Sequence, residues 1–363
     1  MGRVMEVLLT GYPSLRADYV LRELLARDAH VHILLRAEDR AALEAHPEVA
    51  ARVSVVEGEV GAMDLGLSGE EFRGLAERLT HIHHAAISEG SELDDRSAEA
   101  LHVAGTREVL ELAEACTRLQ LLTAHSSIGV FGGREGIVSE DDAPPVSGHR
   151  NAVEATLARA ERMLREAMPR APIAVVRSGM IVGDSKTGVI DRLDGFYLLV
   201  LLLMSSPRDF ALPLPSRGDA PLYLTPIDYV AKAACHIAED PRAAGKTFHL
   251  VERAPLPSRR VIELVAQATG RRMGRGFIPA NVTKALLSAP GIDRLARSPR
   301  TLLDALVTRV SFGTENADAV LGAAGVACPT LESYVDVLVE HTRRHLDERR
   351  ERRAATVDYD PLV

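Results

Sequence analysis

Apolar and polar positions in the first half of the chain alternate between short solid apolar runs and longer stretches with helical spacing. Val4–Leu9 is an apolar run closed by Thr10-Gly11, and Ala17–Arg27 follows with apolar residues at i, i+3 and i+4, which predicts strand, turn, helix. Similar runs recur at Val31–Leu35, Val53–Val56, His81–Ala86, Leu121–Ser126 and Ile173–Val176, with amphipathic segments such as Thr106–Cys116 between them. Runs this short and this apolar suit strands covered on both faces. Strands alternating with helices imply right-handed crossovers and an α/β fold with a Rossmann-type, doubly wound parallel sheet.

From Gly183 the pattern loosens into loops rich in Gly and Pro. It resumes at Thr225-Pro226-Ile227-Asp228-Tyr229 with a helix through Glu239 and a strand at Thr247–Val251. Val261–Thr269, Asn281–Leu287 and Leu331–Glu348 carry helical spacing, so the C-terminal third is expected to be a smaller, mostly helical cap. The organisation predicted is a Rossmann-type core over 1–183, a substrate-side region over 184–348 that returns to the core at about 225–255, and a flexible tail over 349–363. A chain of 363 residues is long enough for one large α/β domain with such an appendage.

Charge and composition narrow the function classes. The net charge is −8, and Lys and Arg are scattered among Glu and Asp, so the footprint of a nucleic-acid binder is missing. Three cysteines, Cys116, Cys235 and Cys328, stand far apart without the spacing of a zinc site or disulfide framework, which favours a reducing, cytoplasmic setting. No secretory signal pattern opens the sequence, and the longest apolar stretch, Phe196–Met204, is too short to cross a bilayer. It reads as a buried helix, one face of which can line a cleft.

The most informative segment is Asn151-Ala-Val-Glu-Ala-Thr-Leu-Ala-Arg-Ala-Glu161. Val153, Leu157, Ala160 and Leu164 form an apolar stripe at i, i+4, i+7 and i+11, as any amphipathic helix would. The segment also fits N-x-Y-x-x-[ST]-K-A-x-A-E with Val153 at the Tyr position and Leu157 at the Lys position. Further motifs stand in order around it: Leu9-Thr10-Gly11, Leu35-Arg36-Ala37, Gly58-Glu59-Val60, Asp64-Leu65-Gly66-Leu67, His83-His84-Ala85-Ala86, Val103-Ala104-Gly105-Thr106, Ser126-Ser127 and Gly183-Asp184-Ser185-Lys186-Thr187-Gly188. Together, over roughly residues 4 to 255, they resemble the thioester-reductase branch of the extended short-chain dehydrogenases. That branch includes fatty-acyl-CoA reductases and the terminal reductase domains of polyketide and peptide synthetases.

The resemblance implies a dinucleotide seat at Gly11, Ser14, Ala17, Arg36, Glu59, Ala85 and Ala86, with NADP as the cofactor and Arg36 placed for its 2′-phosphate. The first loop departs from the family's T-G-x-x-G-x-x-G. Ser14 and Pro13 oppose close approach of the backbone to the pyrophosphate, and Tyr12 adds a large ring, so binding is expected to be weak or lost. The family's catalytic Asn, Ser, Tyr and Lys fall at His102, Ser127, Val153 and Leu157. One of the four remains, which predicts loss of hydride chemistry.

Three functional readings stand at this level. The chain binds or remodels an acyl-type metabolite without redox chemistry, or acts as a scaffold or regulator; it is an NADPH-dependent reductase with unconventional residues; or it is a non-redox cyclase, isomerase or dehydratase. Ser127 with His102 or His125 is the minimal acyl-transfer pair, although no G-x-S-x-G elbow is present. No metal site is expected, since the period of a strand sends the rings of His81-Ile82-His83-His84 to opposite faces.

Overall fold

A computed structural model of the chain describes residues 5–88, 93–205, 212–215, 218–271, 273–278 and 305–357. Seven strands form the main sheet: β1 (Glu6–Thr10), β2 (His30–Leu35), β3 (Val53–Glu57), β4 (His81–His84), β5 (Leu121–Ser127), β6 (Ile173–Ser178) and β7 (Lys246–Leu250). Their spatial order is 3-2-1-4-5-6-7 and every neighbouring pair is parallel. The order reverses beside β1, and the carboxyl ends of the strands at that switch point are where a doubly wound sheet opens its crevice.

Both faces are covered, which is why the strands read as solid apolar runs. On one face Leu8, Ile82, Leu122 and Val175 pack with residues of the helices Gly69–Ala76, Gly105–Ala115 and Ala152–Ala167. On the other, Val7, Leu9 and Ile33 pack with the first helix, Leu15–Ala26, and with Ala231 and Cys235 of the helix Ile227–Glu239. A separate apolar cluster forms the cap. There the helix Phe196–Ser205 meets Val261 and Val265 of the helix Ser258–Ala268 and Leu338 of the last helix.

Element boundaries moved for identifiable reasons. The first helix begins at Leu15, two residues before the expected Ala17, because the Ser14 hydroxyl accepts the Ala17 amide as an N-cap (3.3 Å). Strand β4 stops at His84 because Ala85 and Ala86 leave the sheet to pass under Gly11. The last helix, Val335–Val357, extends into the segment 349–363 expected to be a flexible tail, of which 358–363 lie outside the described residues. Glu and Arg are good helix formers, and pairs such as Arg343–Glu340 (2.6 Å) bridge successive turns, so charge alone did not fray it. The segment Asn281–Leu287 lies outside the described residues.

Polar groups buried on the sheet give the fold an acid sensitivity. His83 and His125 face each other across β4 and β5 with ring centroids 6.0 Å apart. His84 points to the opposite face, between Thr10 Oγ1 (2.9 Å) and Thr106 Oγ1 (3.3 Å), so the rings do divide between the two faces. Burial pushes the His81, His84 and His102 imidazoles down to about 4, His83 and His249 to about 3, and His125 well below its ordinary range. Burial acts in the other direction on the Glu140 and Glu252 carboxyls, which rise to about 7.

Between about pH 4 and 6.5 the unfolded chain therefore takes up protons that the folded histidines refuse, and stability climbs with pH, each ring adding up to about 1.4 kcal/mol per pH unit. The two glutamates bind protons more tightly in the folded state and contribute the opposite slope, but they are outnumbered. Urea unfolding at pH 5 and pH 7 should give the higher midpoint at pH 7. An unchanged or lower midpoint would mean that the rings are paired and charged inside the sheet.

Candidate functional site

The helix Ala152–Ala167 is fixed at its start by Asn151, whose side chain accepts the Glu154 amide (2.9 Å). This cap sets the rotation of the first turns. Val153 and Leu157, at 6% and 4% exposure, belong to an apolar cluster with Val130, Phe131 and Ala158. Both line a cavity of about 210 Å³ together with Ser127, Glu154, Tyr223 and Phe312. Ser127 ends β5 and takes the Gly129 amide on its hydroxyl oxygen (3.1 Å). The two apolar residues thus sit on the same wall as Ser127, at the carboxyl end of the sheet.

His102 is held elsewhere. It lies in a π-helical turn, Glu99–Ala104, and is fully buried. The Ser88 amide donates to Nε2 (3.2 Å), and an amide can only donate, so the ring proton resides on Nδ1 and is given to Thr156 Oγ1 (2.8 Å). Thr156 passes its own proton to the carbonyls of Ala152 and Val153. The lone pair that would make His102 a base is already used, and His102 is not among the residues lining the cavity. His125 points toward His83 and the Arg16 side. Neither histidine is brought to Ser127 as a base.

Behind the cavity lies a buried ionic network. Arg177 of β6 is inaccessible and bonds Glu161 through Nε (3.0 Å to Oε1), while Ser126 donates to the same carboxylate (2.7 Å). The guanidinium also donates to the Asp142 carbonyl (2.7 Å) and to His249 Nε2 (3.0 Å), and stacks 4.8 Å over the Phe131 ring. His249 in turn gives its Nδ1 proton to the Gly313 carbonyl (2.7 Å). Glu140, whose carboxylate accepts the amides of His249 (2.8 Å) and Ala317 (3.1 Å), completes the tie to the C-terminal segment.

The expected dinucleotide seat is assembled in part. Gly11 has φ +93, and a Cβ there would lie 2.6 Å from the Ala85 carbonyl group, so only glycine admits this close crossing of the two loops. Ala17 is fully buried at the helix–sheet contact. Ser14 adopts φ −59 and needs no glycine; its hydroxyl takes the Ala17 amide, one of the donors that a helix N-terminus offers to phosphate. Tyr12 turns inward, 7% exposed, packing in the core that contains Leu35 and Leu43. Arg36 is drawn into ion pairs with Glu38 (2.6 Å) and Asp39 (2.7 Å), so a 2′-phosphate would meet two competing carboxylates. Glu59 is exposed, and its amide donates to the Leu65 carbonyl (2.9 Å).

Two side chains that no sequence pattern singles out belong to this end of the sheet. Arg16, 7% exposed, reaches the Ser178 hydroxyl on β6 (3.3 Å) from the start of the first helix. With Ser14, Asp191 and Arg192 it lines a second cavity, of about 70 Å³. Tyr223 stands across the larger cavity from Val153. Its hydroxyl accepts the Phe312 amide (3.1 Å), and burial pushes its pKa up. What hid them is that their partners, Ser178 and Phe312, lie far along the chain. The Gly183–Gly188 motif lines neither cavity: Asp184 accepts the amides of Lys186 and Thr187 (2.8 Å each), Ser185 donates to Asp228 (2.6 Å), and Gly188 lies against His341 of the last helix. The same loop thus ties the core to the cap.

Comparison with known proteins agrees with this architecture. Among solved structures, the terminal R domain from the myxalamid PKS-NRPS biosynthetic pathway superposes with a TM-score of 0.76 at 25% identity, covering 95% of this chain and 92% of that one. The reductase (R) domain of a nonribosomal peptide synthetase from Mycobacterium tuberculosis gives 0.71 at 24% identity, over 95% and 92%. Among curated proteins, the chain is 26% identical to the glycine betaine reductase of Emericella nidulans over 71% of its own length and 22% of that protein. It is 27% identical to a linear gramicidin synthase of Brevibacillus parabrevis over 67% and 5%. The chain therefore spans under a quarter of either curated relative. The male sterility protein family matches residues 9–234, more than half of the sequence, and the chain belongs to that NAD-binding family.

Proposed function

We propose that this chain holds an apolar acyl- or polyketide-type metabolite in the cavity beside Ser127 without transferring hydride to it, and either remodels that metabolite or serves as a scaffold or regulator. One observation carries the reading. Val153 and Leu157, at the family's Tyr and Lys positions, face the cavity with Ser127, so the place where a proton donor and its cationic partner would stand is apolar. Phe131, Leu222 and Phe312 extend the same wall. Such a surface favours desolvated hydrocarbon, while the Ser127 hydroxyl and Arg150, paired to Glu154 (2.7 Å), supply polar ends that can orient a thioester or carboxyl group.

The fit to a dinucleotide is partial. Gly11 with Ala85 and Ala86 supports an adenosine-side seat, whereas the Ser14 cap and the acidic neighbours of Arg36 oppose the phosphates. NADP binding, weak if present, is the expectation, and when bound that cofactor supplies hydride in reductases of this kind. No helix among the described residues is long and apolar enough to cross a membrane. A reducing, cytoplasmic setting belongs to the same reading, supported by the free Cys116, Cys235 and Cys328.

A second reading is favoured by Tyr223. It is the tyrosine that lines the cavity among the described residues, so its hydroxyl is the candidate donor for a reductase with relocated chemistry, and burial, by raising its pKa, makes it a weaker acid than a tuned catalytic tyrosine.

A panel of acyl-CoA thioesters and aldehydes separates the two readings. The wild type should oxidise NADPH at background rate, because a general acid is worth about two to four orders of magnitude and the family's donor is absent. Turnover that disappears in Tyr223→Phe would establish the second reading and end the first.

Cofactor affinity should respond to the first loop. Pro13→Thr with Ser14→Gly is expected to tighten NADP(H) binding at a cost of only a few tenths of a kcal/mol for the cap, while Tyr12 is left in place because its ring is core. Calorimetric titration reads the change; equal affinity in wild type and variant would remove the loop from the explanation.

Restoring Val153→Tyr and Leu157→Lys should be tolerated, because both side chains border the cavity; a closed wall would instead cost about 1–3 kcal/mol or more through overpacking and a buried charge. A decanoyl-CoA competition assay should then show weaker acyl binding, since the new side chains fill the cavity. Failure of the double variant to fold would mean that the wall is closed.

A further inference from the structure

At the opposite edge of the sheet three side chains converge on one point. Glu6 opens β1 and His30 opens β2, and the two residues are register partners; His32 follows on the same face of β2. Glu6 Oε2 lies 2.9 Å from His30 Nδ1 and 2.9 Å from His32 Nε2, and the three donor atoms all fall within 4.8 Å of one another. The outer nitrogen of His30, Nε2, is 3.1 Å from the Ser54 hydroxyl on β3. Side-chain exposure falls from 44% at His30 through 25% at Glu6 to 3% at His32, so the cluster is rooted in the protein and open on one side.

We propose that Glu6, His30 and His32 form a binding site for a divalent metal ion of the zinc class. One carboxylate and two imidazoles are a borderline donor set of the kind that selects zinc, cobalt or nickel over calcium and magnesium. Tetrahedral coordination at about 2.0–2.1 Å places ligand atoms about 3.3 Å apart, so the carboxylate draws back from each ring nitrogen by a few tenths of an ångström while the two ring nitrogens, within 4.8 Å of each other, adjust toward the same spacing. Both ring nitrogens now present protons to Glu6, since a carboxylate oxygen only accepts. On metal uptake each ring shifts its proton to the other nitrogen, His32 from Nε2 to Nδ1 and His30 from Nδ1 to Nε2, where the Ser54 hydroxyl is placed to accept it, the outer-sphere arrangement that fixes the tautomer of a ligating histidine.

The backbone of Glu6 is already anchored, its amide donating to Thr80 Oγ1 (3.0 Å). A fourth position stays open to water on the exposed side. The set lies at the amino ends of β1 and β2, whereas the Ser127 cavity lies at the carboxyl ends, so the ion would clip strands together and take no part in the chemistry of the cleft.

Untagged protein, stripped with chelator, tests this with cobalt and zinc. Cobalt titration should produce the visible bands of a nitrogen-ligated ion with one equivalent bound, and zinc should displace it. At free zinc about one hundred times the dissociation constant, the ratio of folded to unfolded protein should rise about 100-fold. His30→Gln, at the most exposed ligand, should weaken uptake by more than about tenfold and abolish the stabilisation, and Ser54→Ala should weaken it by about tenfold or more. His46→Gln, an exposed histidine outside the cluster, should change neither. Absence of saturable uptake, or uptake and stabilisation that survive His30→Gln, overturns the site and leaves Glu6 as a hydrogen-bond bridge between two histidines.

Discussion

The Arg177–Glu161 ion pair is the constraint on which the rest of the cleft depends. Two fully desolvated charges are tolerable only when their remaining hydrogen-bonding capacity is met, and here it is met by Ser126, the Asp142 carbonyl and His249. Each partner comes from a different part of the chain. The pair therefore fixes the helix bearing Val153 and Leu157 against β6, the 140–142 turn against the sheet, and β7 with the Gly313 turn behind the cavity. Deleting one member of such a pair commonly costs about 3–5 kcal/mol, because the other is left charged and buried. Phe131 lies on the guanidinium and forms part of the cavity wall, so ionic order is passed directly to an apolar surface.

How much of this was legible in sequence follows from how local each signal is. The strands were plain because both sheet faces are covered, and Val31–Leu35 or Leu121–Ser126 admit no other periodicity. Gly11 was plain because the turn it makes needs glycine whatever surrounds it. Ser14 reads in sequence as an obstacle to phosphate through its Cβ, whereas its hydroxyl acts by capping, a choice decided by the helix starting at Leu15. The pairing of Arg36 is written in the adjacent Glu38 and Asp39, two carboxylates within reach of any side chain that long. Arg16 and Tyr223 carried no local signal, since their partners Ser178 and Phe312 lie far along the chain. His102 looked like a base for Ser127 only while its contacts to Ser88 and Thr156 were unknown.

The two halves of the cleft are unequal in what they ask of a ligand. The adenosine side offers a tight backbone crossing and a cation that already has company. Along the other side runs an apolar wall bordered by Arg134, Arg150, Glu154, Arg192 and Asp194. A ligand gains most there by burying hydrocarbon, at about 25 cal/mol for each Å² removed from water. Selectivity in such a site comes from shape and from the few polar groups at its ends.

The wall of the cavity also has a history in folding. Part of it is set by residues 127–157; another part comes from Val310 and Phe312, which pack against the same cluster and belong to a short strand, Val310–Phe312, that pairs in parallel with Gly136–Val138. These contacts join segments far apart in the chain, so the entropy of closing that loop must be met before the pairing returns anything. The binding surface is therefore complete only when this long loop is closed. A ligand that binds the finished cavity stabilises the closure itself, and through His249 and Gly313 that closure is continuous with the ionic core.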